Sequence, residues 1–301
     1  MSARQKKKLE VYVVDKQTEE VLSKDVINEG DKIKYLRQKD LTEQQLLYVK
    51  NEKDMHELTK DLGGFYMLYY SDKLFDGKVS NKNIAKIIYL ATFLEYGTNR
   101  LIDSQPGRPI RPLLEEDIKY ELGLKNKTSY KEFMQEMTEN GIIILQDGYV
   151  YLSPFYFNKG TDELPQDYFG KIYVNTVRQL YKQVNTRQHK SLGYLFQLLP
   201  FIDYNYCVIT AEPNTENALN YKLTKKDIAG LLGLNLEQYK KVEQQLLQMT
   251  FMFRENVYSV IGSVSIKTNK KQQFYVVNPL IFNNCNSYDN MSNLWLQLLR
   301  V

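Results

Sequence analysis

The residues able to do bond-making chemistry are few. His56 and His189 are the only histidines and Cys207 and Cys285 the only cysteines in 301 residues. Zinc sites need three or four such ligands at close spacing, and a disulfide framework needs more cysteines, so both classes are disfavoured. No CxxC pair, GxxxxGK[ST] phosphate loop, Gly-rich dinucleotide fingerprint or GxSxG nucleophile motif occurs. Glu115-Glu116-Asp117 could hold a cation, but three carboxylates in the first turn of a helix are explained by its dipole. The sequence therefore predicts neither an enzyme nor a bound cofactor or metal.

Contact with phosphate is better represented. Net charge is +4, and its placement is uneven: residues 1–64 and 65–160 are each neutral, and residues 161–301 carry the whole excess. Within that part, Lys171 to Lys190 reads KIYVNTVRQLYKQVNTRQHK, with five Lys or Arg and no acid. Such a run suits the DNA backbone, or equally a solvated helix face balanced by acids elsewhere. Arg178, Lys182, Arg187 and Lys190 are its candidate contacts. The 24 Tyr and 13 Phe are an excess that could stack bases. A chain rich in Lys, Asn, Ile and Tyr is also what an AT-rich genome encodes, so the excess alone does not argue for nucleic acid.

The elements that would position these residues come from an internal repeat. Leu113, Asp117, Ile118, Leu122, Gly123 and Leu124 recur 110 residues later as Leu223, Asp227, Ile228, Leu232, Gly233 and Leu234. Tyr130, Phe133 and Met137 recur as Tyr239, Val242 and Leu246 at 109, and Ser153-Pro154 with Phe157-Asn158 as Asn278-Pro279 with Phe282-Asn283 at 125. Each copy begins with an apolar helix, Ile84, Ile87, Ile88, Ala91 and Leu94 in one and Leu192, Leu195, Phe196 and Leu199 in the other. A second helix follows, Glu115–Leu122 or Thr224–Leu232, stopped by Leu-Gly-Leu because glycine tolerates the left-handed turn. A third runs from Ser129 to Glu139 or from Leu236 to Met249.

Strand-like runs close each copy: a hairpin over 142–152, then Phe251–Val264 and Lys271–Val277 around a basic tip, Lys267, Lys270 and Lys271. Three helices and a hairpin make a winged helix-turn-helix. The expected fold class is α+β, predominantly helical, with two tandem winged helix-turn-helix units behind an N-terminal β-hairpin and helix extension. The expected domains are 1–64, 65–160, 161–285 and a C-terminal amphipathic helix over 286–301. In the extension, residues 9–14 and 20–27 read as a hairpin and Leu41–Leu62 as a helix. Phe65–Tyr70 and Ile172–Val177 read as strand or helix. In the last helix Met291, Leu294, Trp295, Leu298 and Leu299 form one apolar stripe.

The chain resembles a family of low-GC Gram-positive plasmid and phage DNA-binding proteins related to plasmid replication initiators. The residues that carry the resemblance are Val11-Tyr-Val-Val-Asp15 with Glu20-Val21, Thr224-Lys-Lys-Asp227-Ile228-Ala229 with Leu232-Gly233, and the ending Val276-Val277-Asn278-Pro279. It covers residues 9–284 and implies replication initiation or transcription regulation as the process. The first unit departs from the pattern with Ser153-Pro154 in place of Asn-Pro.

The reading that results is a non-enzymatic, cytoplasmic double-stranded DNA-binding protein. Third helices would enter the major groove, with Gln238, Lys240, Lys241, Gln244 and Gln245 outward in the second unit and Lys127, Ser129 and Lys131 in the first. Glu132 and Glu136 oppose phosphate in the first unit. A scaffold that recruits a replication or transcription partner is the alternative, favoured for the neutral N-terminal half. Arg108 within Pro106–Pro112 reads either as a minor-groove hook or as part of a stiff loop. Leu294, Trp295 and Leu298 are the expected homodimer contact, with docking onto the same chain as the other possibility. No run is long and apolar enough to span a membrane.

Overall fold

The computed structural model describes residues 8–14, 21–28, 43–104, 109–160, 168–213, 215, 218–265, 273–283 and 299–301. Side chains are described from Lys50 onward, without those of Thr186, Arg187, Ser265 and Gln273. Lys267, Lys270 and Lys271, Arg108, and Leu294, Trp295 and Leu298 lie outside the described residues.

Two compact units divide the chain, Met1–His56 and Glu57–Val301. The first holds an antiparallel hairpin, β1 (Lys8–Val14) and β2 (Val21–Asn28), in register from Lys8↔Asn28 to Val13↔Ser23. Its Val- and Ile-rich alternation is what a pleated strand favours. Helix α1 (Glu43–Asp61) crosses the divide and ends where Gly63 and Gly64 take positive φ. There the Gly64 N–H reaches back to the Thr59 carbonyl at 2.8 Å.

Helices alternate with small antiparallel sheets through the second unit. Its first repeat runs β3 (Phe65–Tyr70), α2 (Asn81–Leu90), β4 (Ile102–Asp103), β5 (Arg111–Pro112), α3 (Glu115–Glu121), α4 (Lys127–Glu139), β6 (Ile143–Gln146), β7 (Tyr149–Leu152) and β8 (Phe157–Asn158). The second runs β9 (Tyr168–Tyr173), α5 (Val174–Gln183), α6 (Thr186–Gln197), α7 (Lys225–Leu231), α8 (Leu236–Gln248), β10 (Thr250–Phe253), β11 (Asn256–Ser259), β12 (Ile261–Ser265), β13 (Gln273–Val277) and β14 (Phe282–Asn283).

One four-stranded sheet, ordered β8–β3–β9–β14, joins the repeats. Met67 pairs with Lys171 at its centre, Met67 with Asn158 on one side, and Lys171 with Asn283 on the other. Asn158 and Asn283 are repeat equivalents, so Met67 and Lys171 are too, and an approximate two-fold axis passes between them. The equivalent helices α2 and α6 pack on each other. Their approach is close enough that a Cβ on Gly193 would lie 1.9 Å from the Asn81 carbonyl oxygen. The expected boundary at 160/161 therefore falls inside one core. The division between the two units falls at 56/57, within α1, and not at 64/65; Leu58 and Leu62 are buried.

Three further expectations change. Ile172–Val177 is neither all strand nor all helix: β9 hands over to α5 at Tyr173–Val174. Phe251–Val264 is not one strand but the hairpin β10–β11 followed by β12, with Arg254 and Glu255 both at positive φ in the turn. At the C-terminus Leu299 is not helical. Residues 299–301 run antiparallel to β11, with Ser259 N–H to the Leu299 carbonyl at 2.7 Å and Val301 N–H to the Val257 carbonyl at 2.9 Å. Leu299 is buried there, so this end of the chain docks on itself.

Candidate nucleic-acid interface

Each repeat builds the same helix–turn–helix by the same local rules. Leu122 and Leu232 end α3 and α7, and Gly123 and Gly233 follow at φ of 63° and 64°. The next N–H in each, Leu124 and Leu234, bonds the carbonyl five residues back, Lys119 at 3.1 Å and Ala229 at 2.8 Å. That closure satisfies the last helical carbonyls and swings the chain into the next helix. Helix α7 starts on a capping box, with Thr224 N–H donating to Asp227 at 2.9 Å, and α8 on another between Asn235 and Gln238. In the first turn of α3, Asp117 accepts from the Leu114 N–H at 2.9 Å and takes Arg111 bidentately at 2.7 and 2.9 Å.

Helix α8 buries Tyr239, Val242 and Leu246, and turns Gln238, Lys240, Lys241 and Gln244 to solvent. Gln238 spends its side-chain oxygen on the Asn235 N–H, at 3.1 Å. Gln245 departs from the expectation, since the Ser191 hydroxyl of α6 donates to it. Behind this face Glu243 is buried between Lys225, 2.7 Å away, and the Tyr275 hydroxyl. Burial and that carboxylate push the Tyr275 hydroxyl far above the ordinary tyrosine range. This network fixes α8 against α7 and β13, so the exposed residues are carried on a rigid support.

In the first repeat Lys127 and Lys131 on α4 are exposed, and Ser129 faces a groove described below. Both acids expected to oppose phosphate, Glu132 and Glu136, have partners on or beside α2. Glu136 accepts from the Ser80 N–H at 2.5 Å and the Asn83 amide at 2.8 Å, both in the first turn of α2 or just before it. Glu132 pairs with Lys82 at 3.4 Å.

The basic stretch 171–190 is not one face. Lys171 sits in the central sheet over the Phe65 ring. Arg178 is corrected as a candidate phosphate contact: its Nε donates to Thr92 Oγ1 and an Nη to the Thr92 carbonyl, both at 2.9 Å, with Phe93 4.6 Å away. It locks α5 to the end of the first repeat's α2. Lys182 and Lys190 are exposed and line the same groove as Ser129. Arg187 lies in α6, its side chain outside the described residues. Arg111, part of the expected minor-groove loop, is committed to Asp117, and with Pro112 it forms β5, which pairs antiparallel with β4.

Lys82, Lys86 and His189 were not among the expected site residues. The signal was present in Lys82 and Lys86, four apart on one helix. No group of three or more His, Cys, Asp or Glu able to hold a metal occurs among the described residues, and no described helix is long and apolar enough to cross a membrane. No family model, curated protein or solved structure matches the chain.

Proposed function

We propose that the chain is a non-enzymatic double-stranded DNA-binding protein built on two winged helix-turn-helix repeats. In this reading α4 and α8 are the recognition helices, and the β6–β7 and β12–β13 hairpins are the wings. The observation that carries it is α8: Gln238, Lys240, Lys241 and Gln244 stand outward on a helix held from behind by the Lys225–Glu243–Tyr275 network. Glutamine suits adenine edges, and lysine suits guanine or phosphate. The two-fold relation through Met67 and Lys171 gives one chain two such helices, the arrangement that a dimer of single units otherwise supplies. Replication initiation and transcription regulation are both compatible with it, in a phage or plasmid setting.

The first repeat supports a second reading. Its α3 opens with Glu115, Glu116 and Asp117, and carries Tyr120 at 83% exposed. An acidic face with an exposed aromatic suits a protein partner better than phosphate. DNase protection on duplex fragments tests the main reading. Two adjacent protected segments on one face support binding by both repeats, and one segment assigns the first repeat to a partner. No protection at any site would reject DNA as the ligand.

A further inference from the structure

Lys182, Lys190 and Ser129 line one groove of about 710 Å³ between the repeats. Its walls come from three separate parts of the sequence: α2, the turn between α3 and α4, and the α5–α6 corner. This volume lies within the ~300–1,000 Å³ typical of small-molecule sites. Four lysines and one carboxylate, Glu121, line it. Lys82, Lys182 and Lys190 are exposed, whereas Lys86 is only 7% exposed and so lies at the floor. Its ammonium donates to Asn83 Oδ1 at 2.6 Å and sits 5.5 Å from the Phe133 ring. Burial, reinforced by Lys82, lowers its pKa to about 8.

Beside the cations stands a three-ring stack. Tyr181 lies 4.1 Å from Tyr89 and 4.2 Å from His189, each pair within 11° of parallel. The His189 Nε2 is 3.0 Å from the Tyr181 carbonyl, and the Tyr181 hydroxyl donates to the Leu122 carbonyl at 3.2 Å. The stack therefore ties α6 to the first repeat's helix–turn–helix. Tyr181 and His189 both reach the groove, with Leu122, Leu124 and Val184 as its apolar lining.

We propose that this groove binds a nucleoside diphosphate or triphosphate, with its phosphates against Lys82, Lys182 and Lys190 and its base against the His189 side of the stack. A duplex backbone could also reach the exposed Lys182 and Lys190, so the test below separates the two ligands. Because the ligand touches the first helix–turn–helix and the second repeat at once, it fixes the angle between the two recognition helices. Duplex affinity then changes by roughly 5-fold or more; this consequence rests on the DNA-binding reading, whereas the site itself does not.

Calorimetric titration of the full chain without DNA tests the site, using ADP, GDP and UDP in turn, with adenosine and inorganic phosphate as partial ligands. At least one diphosphate is expected to bind at a single site, with both partial ligands at least ~10-fold weaker. The double variant Lys182→Gln/Lys190→Gln should lose ~10-fold or more while melting as the wild type does, since both side chains are exposed. Lys240→Ala/Lys241→Ala should keep nucleotide binding while losing duplex affinity, which separates this site from the DNA-binding surface. Equal affinity for inorganic phosphate and every diphosphate would overturn the proposal. So would failure of all three diphosphates to bind, and if Lys182→Gln/Lys190→Gln then weakened duplex binding, the groove would belong to the DNA backbone.

Discussion

Replacing Arg178 separates the two roles a cation in a basic stretch can have. Sequence alone places it with phosphate contacts, and the structure turns it onto Thr92 and Phe93. Arg178→Ala removes two charge-assisted hydrogen bonds, both 2.9 Å, and leaves the Thr92 carbonyl without that donor. Hydrogen bonds to charged groups contribute about 1.5–3 kcal/mol in mutational series. The ring contact at 4.6 Å adds about 0.5–1 kcal/mol. Because the two hydrogen bonds share one side chain and are not additive, the expected loss is about 2–4 kcal/mol. For a unit of this size that is roughly a 4–16 °C fall in melting temperature. Urea unfolding supplies the free energy, and duplex affinity measured across a salt series on folded protein supplies the control. The salt slope should be unchanged. Wild-type stability combined with a slope reduced by about 1 would mean that Arg178 meets phosphate and that its position against Thr92 is wrong.

Two glycines should respond in opposite directions. Gly193→Ala forces a Cβ to 1.9 Å from the Asn81 carbonyl and is expected to cost about 3 kcal/mol or more, whereas Gly230→Ala, with open space around it on α7, should gain about 0.5–1 kcal/mol; equal effects in thermal melts would refute the α2–α6 packing. Lys86 titrates near 8 in the folded chain against an ordinary 10.5, so between those values the unfolded chain binds the extra proton and stability rises with pH. Lys86→Met should abolish that rise, and an identical pH profile in the variant would place Lys86 in water. Truncation after Asn290 removes the strand at 299–301 with buried Leu299, and should lower stability by about 2–3 kcal/mol without changing the sedimenting mass. A fall in mass would instead make the C-terminus a dimer contact.

What could be read from the sequence was local. Both Leu-Gly-Leu turns, the Thr224–Asp227 capping box and the inward stripes of α2, α4, α6 and α8 depend on neighbours within a few residues. The repeat even fixed which residues are equivalent. The pairing of β3 with β9 was not legible, because strand partners a hundred residues apart leave no periodic trace. Arg178 was misread for the same reason: its partner Thr92 belongs to the other repeat. The β10–β11 hairpin was hidden because Arg254 and Glu255 occupy positive-φ positions where Asn or Gly would ordinarily announce the turn. Arg254 pairs with Asp61, nearly two hundred residues away. The groove needed α2, the turn between α3 and α4 and the α5–α6 corner brought together; Ser129, Lys182 and Lys190 stood out singly in the sequence, but nothing there placed them beside Lys82 and Lys86.

The central claim is that α8 meets duplex DNA through Lys240 and Lys241. Its most direct test is the salt dependence of duplex affinity for the wild type and for Lys240→Ala/Lys241→Ala. Each lost phosphate contact lowers the slope of log affinity against log salt by about 0.9, and both side chains are exposed, so folding should be intact. The account expects weaker binding and a slope smaller in magnitude by about 1 to 2. Unchanged affinity with an unchanged slope would contradict it and remove α8 from any DNA-binding surface.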